Sequence, residues 1–220
     1  MINTYEITRI KKEINDFNEE NFKEYSIDIQ NDIKKVVKYT FFLRSIADEE
    51  NGNHYLKSMV SDLVFLIKSF KDNNYRYVHL NLRSIIEHAL RFISDEPASG
   101  ETRSNELWEK ANKFLNANES QKLDISATKG AYKRACNYVH GNAKADMPIV
   151  SFFDETLNMK YEVNKTRSLL SNVLKVLHEL VYILLAKCAD LIDYVFHRKK
   201  TLLEYLINKK YVETLRSMTD

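Results

Sequence analysis

Residues 73–93 read NNYRYVHLNLRSIIEHALRFI, and this stretch indicates how the chain folds. Its apolar residues recur every three or four positions, which places them along one side of an α-helix. They are Val78, Leu82, Ile85, Ile86, Ala89 and Ile93. A stripe of this kind packs against the core of a helical protein. The stretch is therefore predicted to be a core helix over about 74–94.

The same period continues on both sides of this helix. It predicts helices over about 4–24, 27–48 and 54–71, a short helix around Trp108 and Phe114, and one from Ser126 to His140. Ser126 is the predicted N-cap of that last helix. From Asn164 to the C-terminus the pattern predicts two helices with a break near 197–200. Residues 149–163 are the one place that suggests a short strand pair or an ordered loop.

The small number of turn-forming residues also favours helices. Among 220 residues there are only 4 glycines and 2 prolines, whereas sheet proteins need turn residues after every few strands. Hydrophobic residues make up 44%, which is typical of a globular chain with a core. The sequence therefore predicts an all-α helical bundle, with residues 1–220 forming a single domain.

Charge and cysteine content restrict the classes of partner and compartment. The formal net charge is only +2, so contact with a nucleic acid would require a local basic patch. Cys136 and Cys188 do not make a disulfide framework, which fits a reducing compartment. The longest uninterrupted apolar run, residues 180–186, has far fewer than the about 20 residues that cross a membrane. A cytoplasmic protein without a membrane segment is expected.

One local basic patch is suggested near the C-terminus. Its members are His197, Arg198, Lys199, Lys200, Lys209, Lys210 and Arg216. Such a run either attracts RNA phosphates or is simply a solvated helix terminus.

A row of charged residues lies beside the apolar stripe of the 74–94 helix. Arg83, Glu87 and Arg91 stand four positions apart. The row is either an i,i+4 ladder of ion pairs or a support in which Glu87 orients a catalytic cation of a neighbouring helix.

The helix that begins at Ser126 carries the polar residues of greatest chemical interest. On an ideal helix Lys133, Asn137 and His140 lie within about 60° of one another, whereas Arg134 lies about 120° from His140. Arg134 and His140 can therefore act together only if the helix distorts near Gly141 or if the two belong to different copies of the chain. No cluster of cysteine and histidine residues predicts a metal site, and no cofactor-binding motif is present.

The stretch from Arg134 to Gly141, RACNYVHG, resembles the Arg-x4–6-His motif of the HEPN superfamily, and residues 81–93 resemble the helix that packs beside that motif. The resemblance implies a bundle of four or five core helices that forms a homodimer. It also implies a composite, metal-independent site that cleaves RNA, with Arg134 and His140 as catalytic residues. Asn137, Glu87, Lys133 and Arg83 would then support them. Bacterial proteins of this type commonly act as toxins or in defence against phage, with a possible antitoxin or defence partner.

Two features leave a non-catalytic alternative open. Ala135 stands where many active members have a polar residue, and five residues separate Arg134 from His140 where four is common. Lys133 is an alternative phosphate-binding cation, because it shares a face with His140. The chain could instead be an inactive HEPN-like module that binds a protein, a nucleotide or a nucleic acid. In the simplest alternative, His140 only caps the end of a core helix.

Overall fold

The computed structural model describes residues 2–49, 53–117, 124–141 and 159–219, and these ranges contain helices and no strand. In chain order the helices are α1 (Ile2–Phe22), α2 (Ile27–Glu49), α3 (His54–Lys71), α4 (Tyr75–Ile93), α5 (Ser104–Ala117), α6 (Ser126–Val139), α7 (Val163–Phe196), α8 (Lys200–Ile207) and α9 (Lys209–Thr219). The predicted all-α bundle is confirmed. Of the strand pair or loop suggested over 149–163, residues 149–158 lie outside the described residues, and 159–162 form neither helix nor strand.

Asparagine side chains fix the starts of two core helices. The Asn53 side chain accepts hydrogen bonds from the backbone N–H groups of Tyr55 and Leu56 at 3.0 and 3.2 Å. Asn74 accepts one from the backbone N–H of Tyr77 at 3.3 Å. Each cap provides an acceptor for N–H groups that have no partner inside their own helix. The starts of α3 and α4 therefore follow from local sequence.

The C-terminal region departs from the predicted pattern at two places: α7 is kinked at Cys188, where φ is −142° and ψ is 45°, and there is one more helix break than predicted. The predicted break follows Phe196, but a second one occurs at Asn208, which has a φ of 77°. Its ψ of 161° places it outside the left-handed helical region, in a conformation that glycine adopts far more readily than other residues do. Its side-chain Oδ1 then accepts a hydrogen bond from the Lys210 backbone N–H at 2.8 Å. The prediction of two C-terminal helices was therefore wrong, and α8 and α9 are separate.

A single cluster of buried apolar side chains connects the helices. α2 packs against α3, α7 and α8, and α4 lies between α3 and α6. Every member of the predicted stripe of α4 is buried. In α2 the ring of Phe42 is fully buried, whereas Phe41 is half-buried.

Helix α7 is the one described segment that is long and apolar enough to cross a membrane. It has 34 residues, and its most apolar 18-residue window has a mean hydropathy of 1.6. The uninterrupted apolar run of residues 180–186 did not predict this candidate, because polar residues interrupt the apolar sequence of the helix. Because 56% of the window is buried inside the molecule, α7 also has the character of a core helix, and core helices satisfy the same criterion.

Candidate functional site

Helix α6 carries the predicted motif and is held between α4 and α7. Tyr132, at the middle of this helix, contacts Glu87 of α4, whereas Tyr138, near its end, contacts His79 at the start of α4. α4 and α6 therefore run antiparallel. The N-terminus of α7 lies at the same end, because the Tyr75 and Thr166 hydroxyl groups are 2.8 Å apart. The last turn of α6 thus lies beside the first turns of α4 and α7.

The start of α6 is capped from another helix. The Glu179 carboxylate of α7 accepts hydrogen bonds from the backbone N–H groups of Ala127 and Thr128 at 2.9 and 2.7 Å, and from the Thr128 hydroxyl at 2.6 Å. Ser126 is the first helical residue, and its hydroxyl bonds to Asp124. The prediction that Ser126 caps α6 was therefore wrong. A carboxylate at this position also interacts favourably with the helix dipole.

A half-buried ion pair connects α4 and α6. Arg83 Nε donates to Glu87 Oε1 at 3.0 Å, and the Tyr132 hydroxyl donates to the same oxygen at 2.7 Å. Burial opposes the charge of Arg83, but the Glu87 carboxylate and the Tyr132 hydroxyl outweigh it and raise its pKa above the ordinary value. The edge of Trp108 contacts the Tyr132 ring, with ring centroids 5.5 Å apart. These contacts fix α6 against α4.

The partners of Glu87 decide between the two interpretations of the charged row. Glu87 pairs with Arg83, as a ladder predicts, but Arg91 instead donates to the Thr102 carbonyl at 3.1 Å. Glu87 hydrogen-bonds to neither Arg134 nor His140 in the described part of the chain. Arg83 and Glu87 therefore support α6 as a whole and do not touch the predicted catalytic groups.

His79 is a functional candidate that the sequence did not reveal. Its ring stacks on Tyr138 with centroids 3.7 Å apart and planes inclined by 16°, and only 7% of the residue is exposed. Burial, followed by the charges of Arg134 and Lys165, lowers the pKa of His79 to about 4. Its Nδ1 has no hydrogen-bond partner among the described residues. A neutral imidazole therefore lies beneath the surface that carries Arg134.

Arg134 is exposed on α6 and forms no ion pair with any carboxylate that the structure describes. A Cβ built on Gly130 would lie 3.4 Å from Arg134 Nη1, so the guanidinium folds back by about one turn. Lys133, the alternative cation, is exposed as well. Both cations are thus available to a phosphate that approaches α6 from solvent.

His140 terminates α6. Its backbone N–H donates to the Cys136 carbonyl at 3.0 Å, and Gly141 follows with a φ of 60°, a left-handed conformation common after helix ends. The side chain of His140 is exposed. Because α6 is helical through Val139, Arg134 and His140 remain about 120° apart around the axis. The helix is therefore not distorted in a way that brings the two together within one copy.

The other candidate residues are Asn137, the two cysteines and any group that could hold a metal ion. Asn137 is half-buried and has interactions of its own, so it lies between the exposed motif residues and the core. Neither Cys136 nor Cys188 is in a disulfide, and the Cys188 thiol donates to the Leu184 carbonyl at 3.1 Å. Within the described ranges, no group of three or more His, Cys, Asp or Glu side chains is arranged to hold a metal ion.

Three of the four lysines in the C-terminal basic run pair with carboxylates. Lys199 pairs with Glu6 at 3.0 Å, and Lys209 pairs with Glu213 at 3.6 Å. Lys200 pairs with Asp193, whose other oxygen is 3.7 Å from His197 Nδ1. The solvated-terminus interpretation therefore describes these residues better than a phosphate-binding patch does.

No protein-family model, no curated protein and no solved structure matches this chain. Functional inference therefore depends on the chemistry of its own residues.

Proposed function

We propose that this protein is a HEPN-like, metal-independent endoribonuclease whose active site is assembled from Arg134 and His140 of two copies. The role follows the resemblance: a toxin or an anti-phage defence enzyme acting on RNA in the cytoplasm, with a possible antitoxin or defence partner. No cofactor is required.

The observation that supports this proposal is that both motif residues, Arg134 and His140, are exposed and form no ion pair or side-chain hydrogen bond with another described residue. Arg83 and Lys199, by contrast, are neutralised by carboxylates. A cation without an acid partner and an imidazole in contact with solvent are what a phosphodiester substrate needs.

The proposed reaction uses the ribose 2′-hydroxyl as the nucleophile. His140 removes the proton of this hydroxyl or protonates the leaving 5′-oxygen. The 2′-oxygen bonds to the adjacent phosphorus and the P–O5′ bond breaks, which yields a 2′,3′-cyclic phosphate and a 5′-hydroxyl end. Arg134 stabilises the negative charge that builds up on the phosphate oxygens. DNA has no 2′-hydroxyl and is not a substrate.

The need for two copies follows from the angle between the motif residues. One copy cannot direct both Arg134 and His140 at one phosphate, because they lie about 120° apart. Large apolar side chains are exposed on the first turns of α4 and α7, the two helices that flank the end of α6: Tyr77 is 53%, Leu80 41% and Val163 41% exposed. A protein interface would cover exposed apolar residues of this size. A second copy covering them in a two-fold arrangement would bring the two motifs together.

A non-catalytic binding module is the second candidate, and two observations favour it. Ala135 is fully buried, so this position offers no polar group to a substrate. In addition, α1, α2 and α3 enclose a groove of about 790 Å³, which is a typical size for a ligand site. Its apolar lining includes Phe17, Phe22, Val37, Phe41, Val60 and Ile67. On this alternative the chain binds a protein, a nucleotide or a nucleic acid without cutting it.

The test is cleavage of total RNA and tRNA in the presence of EDTA. We expect the wild type to produce 2′,3′-cyclic phosphate ends and both His140→Ala and Arg134→Ala to be inactive. His197→Ala and Arg103→Ala are matched controls, since each removes an exposed residue of the same type elsewhere, and both should cut normally. Lys133→Ala shows whether Lys133 replaces Arg134 as the phosphate-binding cation.

Mixing the two inactive variants tests the composite site. If Arg134 and His140 act from different copies, a mixture of His140→Ala and Arg134→Ala should regain activity through the mixed dimers. A strict monomer at micromolar concentration, or no recovery from a mixture that does exchange subunits, would refute this arrangement. A wild type that cuts no RNA would favour the binding module, and a strict Mg²⁺ requirement would exclude the proposed mechanism.

A further inference from the structure

Two lysines from different helices lie against the ring of a tyrosine from a third helix, and another lysine lies one helical turn from one of them. Lys38 of α2 places its Nζ 3.8 Å from the centre of the Tyr205 ring of α8, and Lys11 of α1 places its Nζ 5.0 Å from the same centre. Lys34 lies one turn before Lys38 on α2. These residues are far apart in the sequence, so no sequence motif reveals the cluster. We call Lys11, Lys34, Lys38 and Tyr205 the lysine patch.

The lysine patch is not neutralised by the part of the protein that the structure describes. No described carboxylate pairs with Lys11, Lys34 or Lys38, whereas the adjacent Lys35 is paired with Asp32 at 2.8 Å. Burial and then the charges of Lys11, Lys34 and Lys35 lower the pKa of Lys38 below its ordinary value. Lys38 therefore lies in a locally positive environment, which an anion would relieve.

This arrangement differs from that of the C-terminal basic run. There, Lys199, Lys200 and Lys209 each lie within ion-pair distance of a carboxylate. In the lysine patch, by contrast, the face of an aromatic ring takes the place of an acid. A cation–π contact holds an ammonium group in position without cancelling its charge. The lysine patch thus carries three ammonium groups without a carboxylate partner among the described residues, whereas three lysines of the run are paired with carboxylates.

We propose that the lysine patch binds the phosphodiester backbone of single-stranded RNA. Lysine ammonium groups bind phosphates as point charges, so the contact is independent of base sequence. The choice of RNA among polyanions rests on the proposed function. A membrane surface fits less well, because membrane-binding faces combine basic residues with exposed large apolar ones. Apart from Ile27 at the start of α2, the large exposed apolar side chains lie on α3, α4 and α7.

The experiment measures binding of a fluorescent, fully 2′-O-methylated RNA oligonucleotide by anisotropy across a salt series. The probe cannot be cleaved through its 2′-oxygen, and the protein carries His140→Ala throughout, so failure of the ribonuclease proposal leaves this measurement intact. The test variant combines Lys11→Gln, Lys34→Gln and Lys38→Gln. The control combines Lys199→Gln, Lys200→Gln and Lys209→Gln, which removes the same net charge from paired lysines.

We expect the test variant to lose about two units of slope in a plot of log K against log salt, since each phosphate contact with a single strand contributes about 0.7. Affinity at low salt should fall on the order of tenfold or more, because three ammonium–phosphate contacts are lost. The control should change neither quantity appreciably. A version with arginine at positions 11, 34 and 38 should retain binding. If the test variant does not fold, Lys11→Gln with Lys34→Gln alone should lose about 1.4 units of slope.

Three results would overturn the proposal. Equal losses in the test variant and its control would mean that only net charge matters. An unchanged slope in the test variant would mean that RNA binds elsewhere. Binding to phosphatidylcholine vesicles that contain phosphatidylserine, without binding to the RNA probe, would identify the lysine patch as a membrane contact.

Discussion

Replacing Glu179 with glutamine perturbs a contact that joins helices distant in sequence. The carboxylate accepts three hydrogen bonds from Ala127 and Thr128 at 2.6–2.9 Å. Glutamine keeps the length of the side chain and one acceptor oxygen but removes the negative charge. The variant therefore tests how much a charged cap supplied by α7 stabilises the motif helix.

The expected change in the free energy of unfolding of Glu179→Gln has two contributions. A good N-cap is worth about 1 kcal/mol, and a carboxylate at a helix N-terminus adds about 0.3–1 kcal/mol through the helix dipole. Because Thr128 is only 1% exposed, water cannot replace the acceptor freely. We expect Glu179→Gln to lower the free energy of unfolding by about 1–2 kcal/mol. Glu179→Ala, which leaves buried donors without a partner, should cost about 3 kcal/mol.

Urea denaturation monitored by circular dichroism measures this change, and Glu109→Gln is the matched control. Glu109 is exposed on α5, so its replacement should alter the free energy of unfolding by less than about 0.5 kcal/mol. Thr128→Val removes the hydroxyl donor at similar volume. Combined with Glu179→Gln, it should give a coupling energy of about 0.5 kcal/mol or more.

Two outcomes would contradict these expected changes in stability. If Glu179→Gln unfolds at the same urea concentration as Glu109→Gln, the charged contact to α6 contributes nothing to stability. If Glu179→Gln and Thr128→Val are additive, the two side chains do not stabilise each other.

Two further predictions concern His79 and a pair of glycines, Gly130 inside α6 and Gly141 just after its end. The pKa of His79 is about 4 in the folded state and about 6.5 when unfolded, so the unfolded chain binds more protons between these values. The free energy of unfolding should therefore fall by up to about 3 kcal/mol as the pH falls from about 6.5 to about 4. His79→Phe, which can still stack on Tyr138, should lose less stability over this range in pH-dependent denaturation. A variant with the same pH profile as the wild type would contradict the prediction. Gly141→Ala should destabilise the protein by about 1 kcal/mol because of its φ of 60° alone, since nothing lies within 4 Å of the new Cβ. Gly130→Ala inside α6 should stabilise the protein by about 0.5–1 kcal/mol once the Arg134 side chain moves away from the new methyl group. Thermal denaturation in which both variants shift the stability in the same direction would contradict these expectations.

Local sequence determined most of the fold. The apolar period located α4 and its buried stripe. Asn53 and Asn74 fix the starts of α3 and α4 by accepting hydrogen bonds from N–H groups two or three residues further along the chain. These features were predictable because helix hydrogen bonds and caps connect residues no more than about four positions apart. The break at Asn208 escaped prediction because the apolar period continues across it. An asparagine followed by two lysines was the only available signal.

The candidate site was predictable only in part. The sequence identified Arg134 and His140 and their separation around α6, since both are properties of a single helix. It did not reveal that Tyr132 completes the Arg83–Glu87 pair or that His79 stacks on Tyr138, because these contacts depend on which face of α4 meets α6.

Local sequence thus accounts for the helices, their apolar faces and the spacing of the motif residues. Which charges are neutralised depends instead on how the helices pack. The packing pairs Lys199 with Glu6 across nearly the whole chain, brings Glu179 to the start of α6, and gathers Lys11 and Lys38 around Tyr205 without a carboxylate partner among the described residues. Backbone hydrogen bonds in a helix act within about one turn, whereas side-chain charges interact with whichever helix packs beside them.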